Sequence, residues 1–388
     1  MIIKEVSAKS ILDSRKDKTI LVKIKTNVGD FSSSAPNGKS KGKHEAKPYK
    51  KSLEKDIETL KKFKDYFSKE HLDKFDDLRR IEDIIKNEIG ANTLFALESA
   101  SLKAIAKEQK KEIWQIINEN AKKIPRFLGN CIGGGMHSNE KSSLDKKPDF
   151  QEFLLIPNEN SAIENFKKLK SGKEDSEIFL KKLDSNFKSR KNDEDAWNTS
   201  LDDKRVLEIL VKLNISLGLD VASSSFCKRK KYRYENPKLD RTSEEQMGYL
   251  SNLIKNFNIF YVEDPFNEED FESFSKLLQK FPKTLIAGDD LTVTNLKRLK
   301  KAIDEKSINA LIVKPNQNGS LFEVKEICEI AKKNNIKIIF SHRSGETEEK
   351  ILSDLAFGFE ADFLKCGITG KEREVKIKRL IEIEKSLK

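Results

Sequence analysis

The chain from Leu213 onward alternates short apolar runs with longer amphipathic segments. Apolar runs of this length predict buried strands, and the segments between them predict helices. The strand-like runs are ISLGLD, IFYVED, TLIAGD, ALIVK, IKIIFSH and EADFLK. Their polar ends are 43, 26, 25, 28 and 23 residues apart, and four of these five gaps fit a strand followed by one crossover helix. The pattern therefore predicts a parallel α/β architecture.

Polar residues also stand where two of the predicted helices would begin. Asn295 or Thr294 is placed to cap a helix that starts at Leu296. Ser344 or Thr347 is placed to open another helix after the run IKIIFSH.

The first part of the chain follows a different pattern. Alternating apolar positions in ILDSR and TILVKIKTNVGDFSSSA predict a meander of strands, with a turn at Asn27 to Asp30. Two or three helices are expected from about Leu53 to Asn120. We therefore expect an α+β capping domain over residues 1–122, a boundary near Pro125, and an α/β barrel domain over residues 127–388.

Each predicted strand of the second domain ends in a side chain that can do chemistry. These side chains belong to Asp220, Glu263, Asp289, Lys314, His342 and Lys365. Barrel enzymes carry their catalytic groups at the carboxyl ends of the strands, so the pattern predicts one shared site. The three acids are hard oxygen ligands suited to Mg²⁺, and the alternative for them is a solvated acidic rim. Lys314, among cations and metal, would have its pKa lowered enough to accept a proton, whereas a structural lysine would extend to water.

The amino-acid composition indicates less about function than the hydrophobic pattern does. Charged residues make up 36% of the chain and the formal net charge is +11, which would attract nucleic acid, acidic membranes or small anions. A lysine-rich solvated surface explains the same excess. The four cysteines form no CxxC pair, so neither a zinc site nor a disulfide framework is indicated, and a reducing cytoplasm fits. No stretch approaches the roughly 20 apolar residues of a membrane span.

Several motifs together resemble the enolase family, in order from about residue 5 to residue 385. They are ILDSR, PNGKSKGKHEA, GANTLFALESASLKA, QEFLLIP, GLDVASSSF, VEDPF, GDDLTVTN, KPNQNGS and SHRSGETEE. The resemblance implies an eight-stranded α/β (TIM-like) barrel of the enolase type, preceded by a domain of three strands and four helices. It also implies a cytoplasmic homodimeric lyase, a phosphopyruvate hydratase of glycolysis and gluconeogenesis, which converts 2-phosphoglycerate to phosphoenolpyruvate with Mg²⁺.

The resemblance also implies roles for individual residues. Asp220, Glu263 and Asp289 would hold the Mg²⁺ that binds the substrate carboxylate, and Ser40 would ligate a second Mg²⁺. Lys314 would be the general base.

The remaining roles concern the leaving hydroxyl and the anionic groups of the substrate. Glu194 would protonate the hydroxyl and Glu152 would assist. Lys365 would bind the carboxylate. The other residues implied at the site are Gln151, His137, His342, Arg343 and Ser344, of which Arg343 and Ser344 would grip phosphate at a helix start.

Departures from the family pattern cluster in the segments expected to move. The segment KNDEDAWNTS has Asp195, Ala196 and Trp197 where glycines and a small residue are expected. Lys39 and Lys41 stand in the first loop where small residues are usual, and the segment after His137 is longer. These changes predict slower turnover or weaker binding of the second metal ion.

Two other functions remain open from the sequence. One is an enolase-superfamily enzyme that acts on another phosphorylated carboxylate. The other is a non-catalytic protein that uses its basic surface to bind RNA or a host protein, with a cell-surface location in addition to the cytoplasm.

Overall fold

The computed structural model describes residues 1–39, 42–63, 65–68, 70–138 and 146–387. Its first domain has a three-stranded antiparallel sheet, followed in the described residues by four α-helices. The strands are β1 (Ile3–Leu12), β2 (Lys18–Thr26) and β3 (Gly29–Ser34). The helices are α1 (Leu53–Lys62), α2 (Leu78–Ile85), α3 (Ala91–Gln109) and α4 (Ile113–Ile117). The meander is confirmed, but the prediction of two or three helices was wrong because α4, with five residues, is too short to show helical periodicity.

The second domain begins at Arg126, directly after Pro125. Its strands are β4 (Arg126–Gly133), β5 (Glu152–Ile156), β6 (Trp197–Asn198), β7 (Ser216–Asp220), β8 (Cys227–Lys228), β9 (Lys231–Glu235), β10 (Lys238–Arg241), β11 (Tyr261–Glu263), β12 (Leu285–Gly288), β13 (Ala310–Val313), β14 (Lys337–Ser341) and β15 (Phe363–Gly367). Its helices are α5 (Ala162–Leu183), α6 (Asp203–Leu210), α7 (Ser243–Phe257), α8 (Phe271–Lys280), α9 (Leu296–Asp304), α10 (Pro315–Asn318), α11 (Leu321–Lys333), α12 (Ile351–Gly358) and α13 (Lys371–Ser386).

Eight of these strands close into a barrel. Their order is β4, β5, β7, β11, β12, β13, β14 and β15, and β15 pairs with β4 to complete the ring. Only β5 runs antiparallel to its two neighbours in this ring. The amino end of β5 therefore lies at the same rim as the carboxyl ends of the other seven strands.

One apolar cluster fills the inside of the barrel. Its buried members are Leu128, Leu154, Ile156, Tyr261, Ala287, Ala310, Ile312, Ile339 and Phe363. Each large aliphatic side chain buried in this way contributes about 1.5–3 kcal/mol to folding. A second, larger cluster packs the outer faces of the strands against the helices, so the strands are buried on both sides and read as continuous apolar runs.

The predicted strand and helix ends were correct in most places. Asn295 caps α9, as expected, by accepting hydrogen bonds from the amides of residues 297 and 298. The expectation that Ser344 or Thr347 opens the next helix was wrong, because α12 begins only at Ile351. Lys365 was expected at a strand end but lies in the middle of β15, because pairing with β4 continues to Gly367.

The first domain packs over the rim of the barrel. Asn37 and Gly345 exchange two backbone hydrogen bonds of 2.7 and 2.8 Å, which tie the chain after β3 to the loop after β14. A side chain on Gly345 would meet Asp13, since an added Cβ would lie 2.2 Å from its Oδ2 atom. Among the described residues, no helix combines the length and apolar character needed to cross a membrane.

Candidate active site

Five of the predicted site residues form the top layer of the barrel interior. Side chains alternate faces along a strand, so a residue two positions from an inward-facing apolar residue also points inward. Glu263, Asp289, Lys314 and Lys365 each stand two positions after a member of the interior cluster, and Glu152 stands two positions before one. The topology therefore brings these five side chains to one rim.

Lys365 lies among the carboxylates of this layer. Its ammonium donates to Asp220 Oδ2 at 2.7 Å and to Glu263 Oε1 and Oε2 at 2.9 and 2.8 Å, and it lies 3.5 Å from Glu152 Oε2. All four side chains are buried. Burial alone would lower the pKa of Lys365, but the surrounding acids raise it well above its ordinary value.

Lys314 forms an ion pair and a hydrogen bond with Asp289. Burial lowers the pKa of Lys314, and so do Arg343 and Lys365, but Asp289 outweighs these effects and raises it overall. The structure thus differs from the lowered pKa that the sequence led us to expect. A lowered pKa of Lys314 would require another cation that offsets the charge of Asp289.

The acids of the rim have properties that fit a divalent cation. Asp289 Oδ1 is buried and accepts no hydrogen bond, and burial together with Asp220 raises the pKa of Glu263 well above its usual range. Two compact groups of ligand atoms, each within 4.8 Å, are His137 with Glu152 and Glu194, and Asp264 with Asp289 and Asp290. The predicted trio of Asp220, Glu263 and Asp289 is not a compact group in the described part of the chain. The ammonium of Lys365 contacts two of these three acids, Asp220 and Glu263.

Glu152 and Glu194 lie on either side of His137. The Nδ1 atom of His137 is 3.3 Å from Glu152 Oε1 and 3.4 Å from Glu194 Oε1. Burial and the charge of Glu194 raise the pKa of Glu152. For Glu194, His137 and His342 outweigh burial and hold the pKa well below its ordinary value. The two acids therefore differ, with the pKa of Glu152 raised and that of Glu194 lowered, although the resemblance gives the role of acid to Glu194.

His137 is buried, in a short turn that follows β4. Three consecutive glycines, residues 133–135, stand before it in the sequence. The structure gives Gly134 a packing role, because an added Cβ would lie 2.4 Å from the carbonyl oxygen of Phe150. Residues 139–145, in the loop that follows, lie outside the described residues, as do Ser40 and Lys41.

Arg343 and Ser344 are engaged by residues of the first domain. Arg343 donates from Nη1 to Glu45 Oε1 at 2.9 Å and from Nη2 to Glu45 Oε2 at 3.1 Å, a bidentate pair with both side chains buried. The Ser344 hydroxyl oxygen accepts from the Lys39 amide at 2.8 Å and from Arg15 at 3.0 Å. This side of the site is thus built across the two domains, and no helix begins at Arg343 or Ser344.

Arg373, in the first turn of α13, is a buried residue of the site that sequence reasoning missed. It donates to the carbonyls of Arg343 and Ser344 at 2.6 Å each and to that of Asp193 at 3.2 Å. It also lies 3.1 Å from Nδ1 of His342. Burial lowers the pKa of His342 to about 4, and Arg373 contributes, so the imidazole is neutral. Arg373 had been missed because the candidate residues were taken from the ends of the predicted strands, and Arg373 lies on a helix.

Asn130 is a second site residue that the sequence reasoning missed. It donates from Nδ2 to Glu194 Oε2 at 2.9 Å. It stands two positions after Leu128 of the interior cluster, so strand alternation could have found it. Gln151 is buried beside Glu152, and its amide donates to Asp220 Oδ2 at 3.4 Å.

The space enclosed by these side chains is small, about 10 Å³, because the lysines lie across the acids. In the described part of the site, six buried polar atoms have no hydrogen-bond partner: Asn130 Oδ1, His137 Nδ1, Gln151 Oε1, Glu152 Oε2, Asp289 Oδ1 and His342 Nε2. Unsatisfied buried polar atoms are costly and uncommon, so this concentration indicates a ligand site. A larger cleft of about 660 Å³ lies between the first sheet and residues 346–354. It contains none of the acid–base set, and we place the site at the rim.

The sequence matches two family models along most of its length. One is described as the enolase amino-terminal domain and matches residues 3–117; the other, the enolase carboxyl-terminal TIM barrel domain, matches residues 121–388.

Curated relatives named enolase match over nearly the whole chain. The enolase of Methanosphaera stadtmanae is 35% identical, with 100% of this chain and 97% of the relative covered. That of Sulfurisphaera tokodaii is 36% identical, with 98% and 95% covered, and that of Archaeoglobus fulgidus is 33% identical, with 99% and 97% covered. The chain therefore belongs to the enolase family, the phosphopyruvate hydratases, which are lyases.

Proposed function

We propose that the protein removes water from 2-phosphoglycerate to give phosphoenolpyruvate, with Mg²⁺ as its metal ion. The observation that carries the proposal is the set of six buried polar atoms that make no hydrogen bond, which lie among the lysines and glutamates of the rim. The family implies a divalent metal ion and a phosphorylated small-molecule substrate. Mg²⁺ is the choice that suits an all-oxygen donor set.

Proton abstraction is the difficult step of this reaction. The proton beside the substrate carboxylate is weakly acidic, and its removal leaves a dianionic enolate that needs concentrated positive charge. In the proposal, Lys314 takes the proton and Lys365 binds the carboxylate. Asp220, Glu263 and Asp289 would hold Mg²⁺, with Ser40 on a second ion, and this charge would stabilise the enolate. Lysine bases and Mg²⁺ are an established pairing in this superfamily.

Loss of the hydroxyl group requires an acid on the other side of the substrate. We assign this step to Glu194 and Glu152 acting as a pair that supplies one proton to the leaving hydroxyl, because both carboxyl groups are buried on the same side of the rim, on either side of His137. His137 touches both acids and would help to hold that proton. The neutral His342 would face the substrate with Nε2.

The phosphate would bind at Arg343 and Ser344, with Gln151 beside the metal ligands. A guanidinium fork suits a phosphate group, and here a carboxylate of the same geometry, from Glu45, occupies it. Substrate binding therefore requires Glu45 and the two lysines to give up part of their present contacts.

Further parts of the proposal follow from the family and from the sequence pattern. They are a homodimer, a cytoplasmic location, a place in glycolysis and gluconeogenesis, and a division into a capping domain over 1–122 and a catalytic barrel over 127–388.

The test is to incubate the purified protein with 2-phosphoglycerate and Mg²⁺ and to follow the ultraviolet absorbance of phosphoenolpyruvate. We expect turnover that a chelator abolishes and that both Lys314→Ala and Glu194→Gln reduce severely. A folded, Mg²⁺-loaded protein without turnover would overturn the proposal. Binding of RNA or protein by such an inactive chain would then support the non-catalytic function.

A further inference from the structure

The segment around Glu194 departs from the family's glycine-rich pattern, and the structure contains what replaces it. We propose that Lys173 and Asp195 form a clamp that positions Glu194 for proton transfer to the leaving hydroxyl, an inference that rests on the proposed function. The clamp joins helix α5, the Glu194 segment and the loop after β15.

Lys173 makes three contacts at the clamp. Its ammonium donates to the backbone carbonyl of Asp195, to Asp195 Oδ2 at 3.1 Å, and to the hydroxyl of Thr369. Thr369 in turn donates to Asp195 Oδ2. One ammonium thus holds both the main chain and the side chain of the residue that follows Glu194.

The lysine of the clamp is shielded from water, whereas the side chain of Asp195 is 25% exposed. Lys173 is 3% exposed, and its ammonium lies 5.2 Å from the ring centre of Trp197, which caps it. The indole of Trp197 also donates to the carbonyl of Lys173 at 3.0 Å. An ammonium taken out of water needs a compensating charge, and Asp195 supplies it. Burial nevertheless lowers the pKa of Lys173.

The backbone on both sides of Glu194 is fixed. Asp195 has φ = +63°, a left-handed conformation that glycine adopts without strain and aspartate does not. The carbonyl before Glu194, that of Asp193, accepts from Arg373. The Oδ1 atom of Asn192 accepts from the amides of Glu194 and Ala196 at 2.9 Å each. With the clamp on the carbonyl of Asp195, the peptide groups flanking the acid have little freedom.

Gly367 of β15 lets the segment approach this closely. An added Cβ there would lie 2.6 Å from the carbonyl oxygen of Glu194. The acid is therefore seated against the barrel by its main chain and held there by a cation from α5. An aspartate that makes an ion pair takes the place of a flexible glycine.

The experiment compares Lys173→Met and Asp195→Gly with a matched control, Lys170→Met. Lys170 lies one turn earlier on α5 and makes a partly exposed ion pair of 3.5 Å with Glu374. We expect each clamp variant to lower kcat by about 10- to 100-fold with a less than twofold change in KM, because a small displacement of a catalytic group is costly. The control should stay within twofold of the wild type.

A second readout separates positioning from general damage. Exchange of the C2 proton of 2-phosphoglycerate with solvent deuterium needs the base but not the acid, so it should persist in both clamp variants. The double variant, Lys173→Met with Asp195→Gly, should lose no more activity than the worse single variant, because both remove the same contact.

Three results would overturn the inference. They are an unchanged kcat in both clamp variants, equal loss of exchange and turnover, or losses that multiply in the double variant. A wild type without turnover would count against the proposed function instead. The clamp itself would still be tested by the fluorescence of Trp197 in a Trp114→Phe background, since the chain has two tryptophans. Emission should change in Lys173→Met and not in Lys170→Met.

Discussion

The two halves of the site are built from different kinds of local structure. The half that carries Asp220, Glu263, Asp289 and Lys314 is made of regular βα units, in which each strand delivers one side chain to the rim. The other half combines the antiparallel strand β5, the segment around Glu194, loops of the first domain and the start of α13. The regular half takes its geometry from the sheet. The geometry of the irregular half depends on hydrogen bonds and ion pairs between distant parts of the chain. We therefore expect substitutions far from the site to disturb this half more easily than the regular half.

The largest effect should come from the regular half, at the base itself. Lys314→Ala removes the group that would accept the proton in the proposed reaction, and general bases typically contribute about 10²- to 10⁴-fold to rate. We expect a loss of kcat in that range, measured by phosphoenolpyruvate formation. The exposed Lys300→Ala, on α9, is the control and should be silent. Residual activity within tenfold of the wild type would remove Lys314 from the role.

In the irregular half, breaking the fork between Glu45 and Arg343 should cost stability. Glu45→Gln leaves a buried guanidinium without its full counter-charge, and breaking a buried pair in this way typically costs about 3–5 kcal/mol. Urea unfolding should show the loss, and inorganic phosphate should recover part of it by binding Arg343. Glu269→Gln, which weakens the exposed pair with His44, should have little effect. Equal stability of both variants would mean that the fork is not a structural contact.

The pH dependence of stability offers a smaller test of the irregular half. The pKa of His342 falls from 6.5 to about 4 on folding because the ring is buried. The unfolded chain therefore binds the proton at higher pH, so the stability from this group is present above pH 6.5 and is lost as the pH falls towards 4. The shift corresponds to about 3 kcal/mol.

A His342→Gln variant checks this prediction. Its urea unfolding, measured from pH 7.5 to pH 4.5, should depend on pH less steeply than that of the wild type. The carboxyl groups that also titrate at low pH are present in both proteins, so the difference between the curves isolates the histidine. Parallel curves would contradict a neutral, buried His342.

The smallest effect should come from Lys191, which also contacts Asp195, at 3.0 Å. Its side chain is 41% exposed, and exposed ion pairs contribute about 0–1 kcal/mol. Lys191→Met should therefore change the folding equilibrium constant by less than about fivefold, as measured by urea unfolding. It should also change kcat by less than about fivefold, as measured by turnover. A loss as large as that of Lys173→Met would show that burial is not what gives the clamp its strength.

The same division explains what the sequence could predict. The strands that end near Asp220, Glu263, Asp289 and Lys314 were found because an apolar run and its polar end are adjacent in the chain. Glu152 had to be inferred from family resemblance, because β5 runs in the opposite direction and presents its beginning to the rim.

Other residues had no local signal at all. Arg373 reaches the carbonyls of Arg343 and Ser344 from a helix that begins some 30 residues later in the chain. Glu45 was visible within the motif PNGKSKGKHEA, but nothing in the sequence places its carboxylate in the fork of Arg343. Contacts of this kind depend on how the domains pack, and periodicity within one element does not report that.

The ammonium of Lys365, held by Asp220 and Glu263, has a consequence for the order of events during ligand binding. In the proposed function, a divalent ion that bound these carboxylates would displace the lysine, and an anion that drew the lysine towards itself would make that displacement easier. By thermodynamic linkage, each ligand then raises the affinity for the other by the same factor. The lysine would then act as an internal counter-ion that couples binding of the cation to binding of the anion.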